Sequence, residues 1–275
     1  MARLKQLRLE RGLTPTQLAA ASRINLTQIS RLESLERPPV ASQVLALCHF
    51  YGLGQQTTAE FMKLAEPVRG DNNDWSRHDL ETGTAKYLTF EGDATSVSTF
   101  QAMLVPGLLQ AELYARAVVS SLRPYFSDEQ IEETVRARLE RRKNLLAPRS
   151  LEFHAVLDES VLLRALGGAE AMREQLTDLL EATRLPNVTV QILPLSVGPN
   201  PGLNGSFSLF SFGAELDEFA YVEDQIGQTF EADPLAVKRC RTAFETLAKQ
   251  ALAPRSSNAV IRRRIQALDQ TAHRD

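Results

Sequence analysis

Cysteine and long apolar runs are scarce in this chain of 275 residues. The two cysteines, Cys48 and Cys240, lie far apart and lack the spacing of metal ligands, so we interpret both as buried thiols in a reducing cytosol. No apolar stretch approaches the ~20 residues that a membrane-crossing helix needs. The first residues are charged from Arg3 onward and lack the apolar segment of a secretion signal. We therefore expect a cytoplasmic protein that does not enter a membrane.

The net charge of −3 is small but unevenly distributed. Residues 1–66 carry eight basic and five acidic side chains, whereas residues 67–275 carry twenty-three basic and twenty-nine acidic ones. A basic head on an acidic body fits a head that meets a polyanion. An excess of this size over so short a segment also arises by chance, so charge alone decides little.

The stretch TPTQLAAASRINLTQISRLE contains two helix-start patterns eleven residues apart. Thr14 precedes Gln17 by three residues and Asn25 precedes Gln28 by three, which is the spacing of a capping box. Pro15 occupies the first helical position, where its missing N–H costs nothing. Two short helices with a tight turn between them are what a helix-turn-helix motif requires.

Residues 3–65 are expected to form five short helices, followed by a linker. The predicted helices are a first one that ends at Gly12, and then 15–22, 26–35, 41–51 and about 58–65. The polar stretch 67–86 is rich in turn-forming residues, which is typical of a linker. We therefore place an all-α, five-helix domain at 1–66 and a linker at 67–86.

The third predicted helix has an apolar side and a polar side. Ile29 and Leu32 form the apolar stripe that we expect to be buried. The polar side carries Thr27, Gln28, Ser30, Arg31 and Ser34. Gln can pair with adenine, Arg with guanine, and the Thr methyl group can touch thymine. The alternative is a helical protein-binding module whose polar helix face is merely solvated.

The string LRLERGLTPTQLAAASRINLTQISRLE resembles the Xre/Cro-repressor family of bacterial helix-turn-helix regulators over about residues 3–56. The resemblance makes 26–35 the recognition helix and implies base contacts from it and phosphate contacts around it. The expected DNA-contacting residues are Thr16, Gln17, Asn25, Thr27, Gln28, Ser30, Arg31 and Arg37.

Three positions depart from the family pattern. Pro15 stands where the family usually has Gln, which removes one expected phosphate contact. Arg23 and Leu35 stand where the family usually has Gly. A left-handed Arg23 would cost ~1 kcal/mol, unless the turn is built differently.

The remainder, 87–275, predicts an α+β regulatory domain with a mainly antiparallel sheet. The predicted strands are 151–158, 188–195, 206–212 and 218–224. The predicted helices are 92–103, 106–122, a long one capped by Ser127, 168–184, 233–252 and 258–270.

Two segments of this part, ATSVSTFQAMLVPGLLQAELYARA and LPNVTVQILPLSVGPNPGLNGSFSLFSF, resemble the C-terminal domain of actinobacterial Xre regulators of the WhiJ type. The match runs from about Tyr87 to Gln266. The resemblance implies a regulator paired with a small BldB-like protein, in some cases in a toxin–antitoxin-like arrangement. It supplies no ligand.

His154, Asp158 and Glu159 are the candidates for acid–base or metal chemistry. A usable metal site needs three or four converging ligands, and no second cluster supplies them. Asp158 also stands where the N-cap of a following helix belongs. We therefore expect no catalytic residue, no metal and no cofactor.

Four further segments have two interpretations each. The loop 198–206 lacks the lysine of a phosphate loop and predicts a hairpin connection, although its length suits the rim of a ligand or partner site. The basic segment 136–143 is interpreted as a solvated helix face rather than a second DNA contact. The apolar stripe of 261–268 either packs on the body or forms a dimer seam. The segment 106–117 is core unless an exposed groove there marks a partner site.

Together these patterns predict a dimeric, sequence-specific transcriptional regulator that binds an inverted repeat in double-stranded DNA at the nucleoid. Its C-terminal domain would dimerise the chain and respond to a small partner protein or ligand. The alternative is an antitoxin-like or scaffold protein whose main role is to bind that partner. An enzyme in 87–275 is disfavoured because no ligand cluster is present.

Overall fold

The computed structural model describes residues 2–22, 24–34, 41–64, 82–146, 151–213, 218–224, 228–231 and 233–272. Most of the predicted linker, 67–81, lies outside the described residues. None of the described helices combines the length and the apolar character that crossing a membrane requires.

Five short helices make up the first part of the described chain. They are α1 (Ala2–Glu10), α2 (Pro15–Ser22), α3 (Leu26–Ser34), α4 (Ala41–Phe50) and α5 (Gln55–Leu64). Their number and order confirm the prediction, although α5 begins earlier than expected. Gly12 ends α1 as predicted, because its φ of 64° allows a turn in which other residues would be strained. Their shared core contains Leu4, Leu18, Ile29, Leu32, Val44, Leu45 and Leu47.

The second part of the described chain is an α+β domain. Its helices are α6 (Thr82–Asp93), α7 (Glu112–Leu122), α8 (Asp128–Arg141), α9 (Lys143–Leu146), α10 (Ser160–Leu163), α11 (Gly168–Ala182), α12 (Pro234–Gln250) and α13 (Pro254–Ala272). Its strands are β1 (Ser96–Gln101), β2 (Glu152–Asp158), β3 (Val188–Leu193), β4 (Phe207–Ser211), β5 (Phe219–Glu223) and β6 (Gln228–Glu231).

The strands form one mixed sheet in the order β3-β2-β1-β4-β5-β6. β1, β2 and β3 are parallel to one another, whereas β4, β5 and β6 add on antiparallel. The sheet is therefore mainly antiparallel, as expected. We call the edge at which β1, β2 and β3 end the carboxyl edge; β4 begins there and β5 ends there.

Side-chain alternation along the strands gives the sheet two apolar faces. One face packs against several helices and includes Val97, Ala155, Val190, Phe210 and Phe219. The other face is covered by α12, whose Phe244 and Leu247 meet Phe100, Val156 and Leu209. Among the described residues the domain is thus a three-layer arrangement, with the long helix α12 covering the second face of the sheet.

The predicted helix 92–103 is wrong. Helix α6 occupies 82–93 and is followed at once by strand β1, which pairs with β2 and β4. The sequence SVSTF alternates in polarity and is rich in residues that favour strands, and tertiary pairing selects the extended form. Helix α6 also begins inside the predicted linker, and β6 has no predicted counterpart.

The predicted helix 106–122 is interrupted. A short 3-10 turn covers Gly107–Leu109, and α7 begins at Glu112 because Gln110 and Ala111 are extended. The segment packs as core, with Leu108, Leu109 and Tyr114 fully buried. The capped start of α8 is confirmed: Ser127 Oγ accepts from Gln130 N at 3.3 Å, and Gln130 Oε1 accepts from Ser127 N at 2.9 Å.

The interpretation of 136–143 as a solvated face is wrong for three of its cations. Arg141 is buried and donates to both carboxylate oxygens of Glu91, at 2.8 and 2.6 Å. Arg142 pairs with Asp178 at 2.5 Å, and Arg138 donates to Gln110 at 2.6 Å. These partners lie on other elements, so the spacing of charges within one helix gave no indication of them.

The apolar stripe of α13 packs on the body, with Ile261 and Leu268 buried against α11 and β3, so it is not a dimer seam. Both cysteines are free thiols, as expected. Cys48 is buried, whereas Cys240 is only partly buried, which corrects the expectation for the second one.

Candidate nucleic-acid interface

Helix α3 is anchored through its apolar stripe. Ile29 and Leu32 are 0% and 3% exposed and pack in the same core as Leu18 of α2. Thr27 and Ser30 lie on the opposite, exposed side. The predicted division of this helix into a buried and a solvent-facing side is therefore confirmed for these residues.

The starts of α2 and α3 differ in their caps. At α2 the predicted capping box is complete: Thr14 Oγ1 accepts from Gln17 N at 3.2 Å, and Gln17 Oε1 accepts from Thr14 N at 2.9 Å. At α3, Asn25 Oδ1 accepts from Thr27 N at 2.8 Å. Asn25 therefore caps the second helical amide rather than the third, and Gln28 Oε1 does not accept from Asn25 N, so neither bond of the second predicted capping box is formed.

Gln28 is half-buried, and its Oε1 is buried without a hydrogen-bond partner among the described residues. An unpartnered buried acceptor costs free energy. A rotation of this side chain outward would therefore break no hydrogen bond that the structure gives to its oxygen.

The other expected contact residues are placed as follows. Thr16 and Gln17 are exposed at the start of α2, and Asn25 is half-buried at the cap of α3. Arg31 lies in α3, but its side chain is outside the described residues. Arg37, and also Arg23 and Leu35 from the family departures, lie outside them altogether. The described geometry therefore gathers Thr27 and Ser30 on one exposed surface of α3, and Thr16 and Gln17 at the first turn of α2.

A buried ion pair behind α3 was missed by the sequence analysis. Arg8 of α1 donates from Nε and Nη2 to the two carboxylate oxygens of Glu33, at 2.7 and 2.8 Å, and from Nη1 to Leu13 O at 2.6 Å. Both side chains are at most 10% exposed. The hydrogen bond to Glu33, opposed by burial, raises the pKa of Arg8. The sequence signal for a buried cation was the position of Arg8, which stands four residues after the buried Leu4, on the apolar side of α1.

Tyr51, just after α4, joins the same environment. Arg11 donates to Tyr51 O at 2.6 Å, and its guanidinium carbon lies 4.8 Å from the centre of the Tyr51 ring. Burial, and then the negative charge of Glu33, raise the pKa of Tyr51 to about 12. Helices α1, α3 and α4 are therefore linked by polar contacts as well as by the apolar core.

The acid–base candidates of the second domain have structural partners. His154 Nε2 lies 2.7 Å from Gln191 Oε1, its ring packs edge-on against Phe244 at 5.0 Å, and burial lowers its pKa. Asp158 accepts from Ser160 N at 2.9 Å, but the N-cap of α10 is Glu159, so Asp158 lies one residue before the cap position that was predicted for it. Within the described residues, no group of three or more His, Cys, Asp or Glu side chains is arranged to hold a metal ion.

The first part of the chain, residues 2–61, matches the family model of a helix-turn-helix domain, which defines a DNA-binding class of fold. Residues 84–263 match the model of a domain of unknown function, DUF5753. Since that match covers well over half of the sequence, the chain belongs to the DUF5753 family. Searches of the curated proteins and of the solved structures return no significant match.

Replacing Glu33 by Gln should loosen α3, because the Arg8 guanidinium then stays buried without a carboxylate. In the full chain we expect the backbone amides of α3 to exchange with solvent roughly a hundredfold faster, since local opening becomes easier by ~3 kcal/mol. Glu10→Gln is the matched control, because Glu10 and its partner Arg3 are about half exposed. Equal exchange in the two variants would show that the Arg8–Glu33 pair does not hold α3.

Proposed function

We propose that the protein is a sequence-specific transcriptional regulator that reads DNA with the exposed side of α3. The observation that carries the proposal is the two-sided nature of this helix, anchored by Ile29 and Leu32 and open at Thr27 and Ser30. A helix with this division can enter the major groove while its domain stays folded behind it. The match to a helix-turn-helix domain supports this use of the surface.

Each expected residue has a chemical role in this proposal. Gln28 would pair with adenine and Arg31 with guanine, while the methyl group of Thr27 contacts thymine. Asn25 and Ser30 add hydrogen bonds beside them. Thr16, Gln17 and Arg37 would hold phosphates; the cap of α2 uses Oε1 of Gln17 and leaves its amide nitrogen to donate. Gln28 must turn outward to reach a base, and its unpartnered oxygen makes that turn inexpensive.

The affinity for DNA that a regulator needs favours a dimer. A single module of this size buries only ~600–1,000 Å² on DNA, which leaves little margin over nonspecific sites. Two copies with recognition surfaces one helical turn, ~34 Å, apart would bind an inverted repeat. We assign dimerisation and the response to a signal to the second domain, with 1–66, 67–86 and 87–275 as head, linker and regulatory domain. A non-enzymatic protein that binds the chromosome would act in the cytoplasm, at the nucleoid.

A second function, binding a small protein as an antitoxin-like partner or scaffold, is favoured by an exposed apolar set at the carboxyl edge. Met103, Leu163, Leu195 and Leu203 follow β1, β2 and β3 or precede β4, and Leu203 is 76% exposed. Hydrogen bonds from Ser160 Oγ to Ala102 O and from Leu195 N to Glu159 hold these loops together. The resemblance to WhiJ-type regulators makes a BldB-like protein the expected partner. The two functions are compatible, since a partner can control a regulator.

Specific DNA binding should depend on the polar side of α3. We expect Gln28→Ala and Arg31→Ala each to weaken binding to an operator selected from random DNA by ~1–3 kcal/mol, with nonspecific binding nearly unchanged. Gln56→Ala, an exposed glutamine on α5, is the control. Equal loss of specific and nonspecific binding in a gel-shift titration would mean that these residues do not read bases.

The partner surface can be tested separately. A small protein that co-purifies with the chain from its native host should be lost on Leu203→Asp, because a charge then meets the apolar contact. It should survive Arg31→Ala and also Leu9→Asp, which alters an exposed leucine of the head. Retention of the small protein by the Leu203 variant would place the partner elsewhere, and its absence from the unaltered chain would count against the partner function.

A further inference from the structure

A row of polar side chains crosses the sheet on the face that packs against α6 and α8. Thr99 of β1, Ser208 of β4 and Tyr221 of β5 are neighbours in register. Thr99 Oγ1 lies 2.8 Å from Ser208 Oγ, and both residues are at most 2% exposed. Gln101 donates from Nε2 to Thr99 Oγ1 at 2.9 Å, and the Tyr221 hydroxyl donates to Glu223 at 2.8 Å. Polar side chains buried this deeply in a sheet interior are uncommon, and their presence needs an explanation.

Two arginines of α8 stand next to this row. The guanidinium carbon of Arg141 lies 5.4 Å from the centre of the Tyr87 ring, and that ring packs 4.7 Å from the ring of Tyr221. Arg141 is neutralised by its two hydrogen bonds to Glu91. Arg138 lies one helical turn earlier, on the same side of α8.

Arg138 lacks such neutralisation. Its Nη1 donates at 2.6 Å to Gln110 Oε1, a neutral acceptor whose amide nitrogen is already bonded to Val105 O. No carboxylate of the described residues forms an ion pair with Arg138. Burial, and then the positive charge of Arg141, lower the pKa of Arg138 to about 10, while the negative charge of Glu223 opposes this. A partly desolvated guanidinium is stabilised by pairing with an anion, and an anion from outside would supply the pair that the described residues do not.

Besides burial, charges of both signs act on the pKa of Arg138: Arg141 and Arg123 lower it, and Glu223 raises it. Glu91 forms its ion pair with Arg141 rather than with Arg138. Arg138 itself is only partly buried, so a small molecule can reach it from solvent.

The cluster lies where an open sheet of this topology would place a ligand. β1 continues to β2 and β3 on one side, and β4 lies on its other side, so the chain direction across the sheet reverses between β1 and β4. Ligands of open α/β sheets bind at the carboxyl edge at such a switch point. Gln101 and Glu223 are the last residues of β1 and β5 at that edge.

We propose that this cluster is a binding site for a small organic anion. A carboxylate or phosphate group would pair with the free part of the Arg138 fork, and the rest of the molecule would lie at the carboxyl edge beside Gln101, which is partly exposed whereas Ser208 and Tyr221 are buried. Its use as the effector of the regulator rests on the proposed function. Helix α6, which supplies Glu91, also contacts α4 of the head, and so links this site to the DNA-binding helices.

Anion binding can be measured without DNA. The full chain is unfolded thermally in potassium phosphate and in potassium acetate at 20 mM, each matched in ionic strength with potassium chloride. At a Kd near 1 mM we expect the midpoint to rise by about 2–4 °C relative to chloride in at least one of the two salts. Arg138→Gln should lose this difference, and calorimetry should show at least a tenfold weaker Kd. Arg136→Gln, an exposed arginine two residues earlier on α8, should retain it.

The controls separate this site from general salt effects. Phosphate also stabilises proteins by exclusion from their surface, but that effect is the same in the two arginine variants. Should Arg138→Gln fail to fold, Arg138→Lys keeps the charge without the fork and should show an intermediate Kd. Equal stabilisation of all variants, or no binding by the unaltered chain at 20 mM of either salt, would overturn the proposal. Operator binding in chloride tests the proposed function by itself, so the two failures are distinguishable.

Discussion

The proposed reading of DNA by α3 depends on the contacts that anchor the buried side of this helix. Ile29 and Leu32 supply the apolar contact, and the two hydrogen bonds between Arg8 and Glu33 fix the helix to α1. Core contacts tolerate small rotations of a helix, whereas a bidentate guanidinium–carboxylate pair specifies a geometry. A pair of this kind is weak evidence for stability but sets orientation when it is satisfied on both sides. The Arg8–Glu33 pair therefore joins α3 to α1 on the side away from its exposed residues.

The second domain also contains a buried arginine–carboxylate pair, and a neighbouring arginine that has no carboxylate partner among the described residues. Arg141 and Glu91 form a second buried pair that ties α8 to α6, while Arg138, one turn away, is left with a neutral acceptor. One arginine of α8 is thus structural and the next is available to an outside anion. Since α6 also contacts α4, a change in the packing around Arg138 has a short route to the head.

The sequence predicted the local features of this fold better than its long-range ones. Caps at Thr14 and Ser127 and the turn at Gly12 depend on neighbours within four residues, and the structure contains them. Strand β1 was mistaken for a helix because its identity comes from pairing with strands more than fifty residues away. Arg138 and Arg141 were assigned to solvent for the same reason, since Gln110 and Glu91 lie on other elements. Of the candidate interface, the division of α3 into two sides was predictable from its periodicity. The position of Arg8 on the apolar side of α1 indicated a buried cation, but not that Glu33 is its partner.

The most direct test of the account is photo-cross-linking of the full chain to its selected operator. A photoreactive side chain at Ser30, on the exposed side of α3, should form adducts with bases within a half-site. The same side chain at Ser121, exposed on α7, should form none. Adducts from position 121 without adducts from position 30 would contradict the claim that α3 lies along the bases.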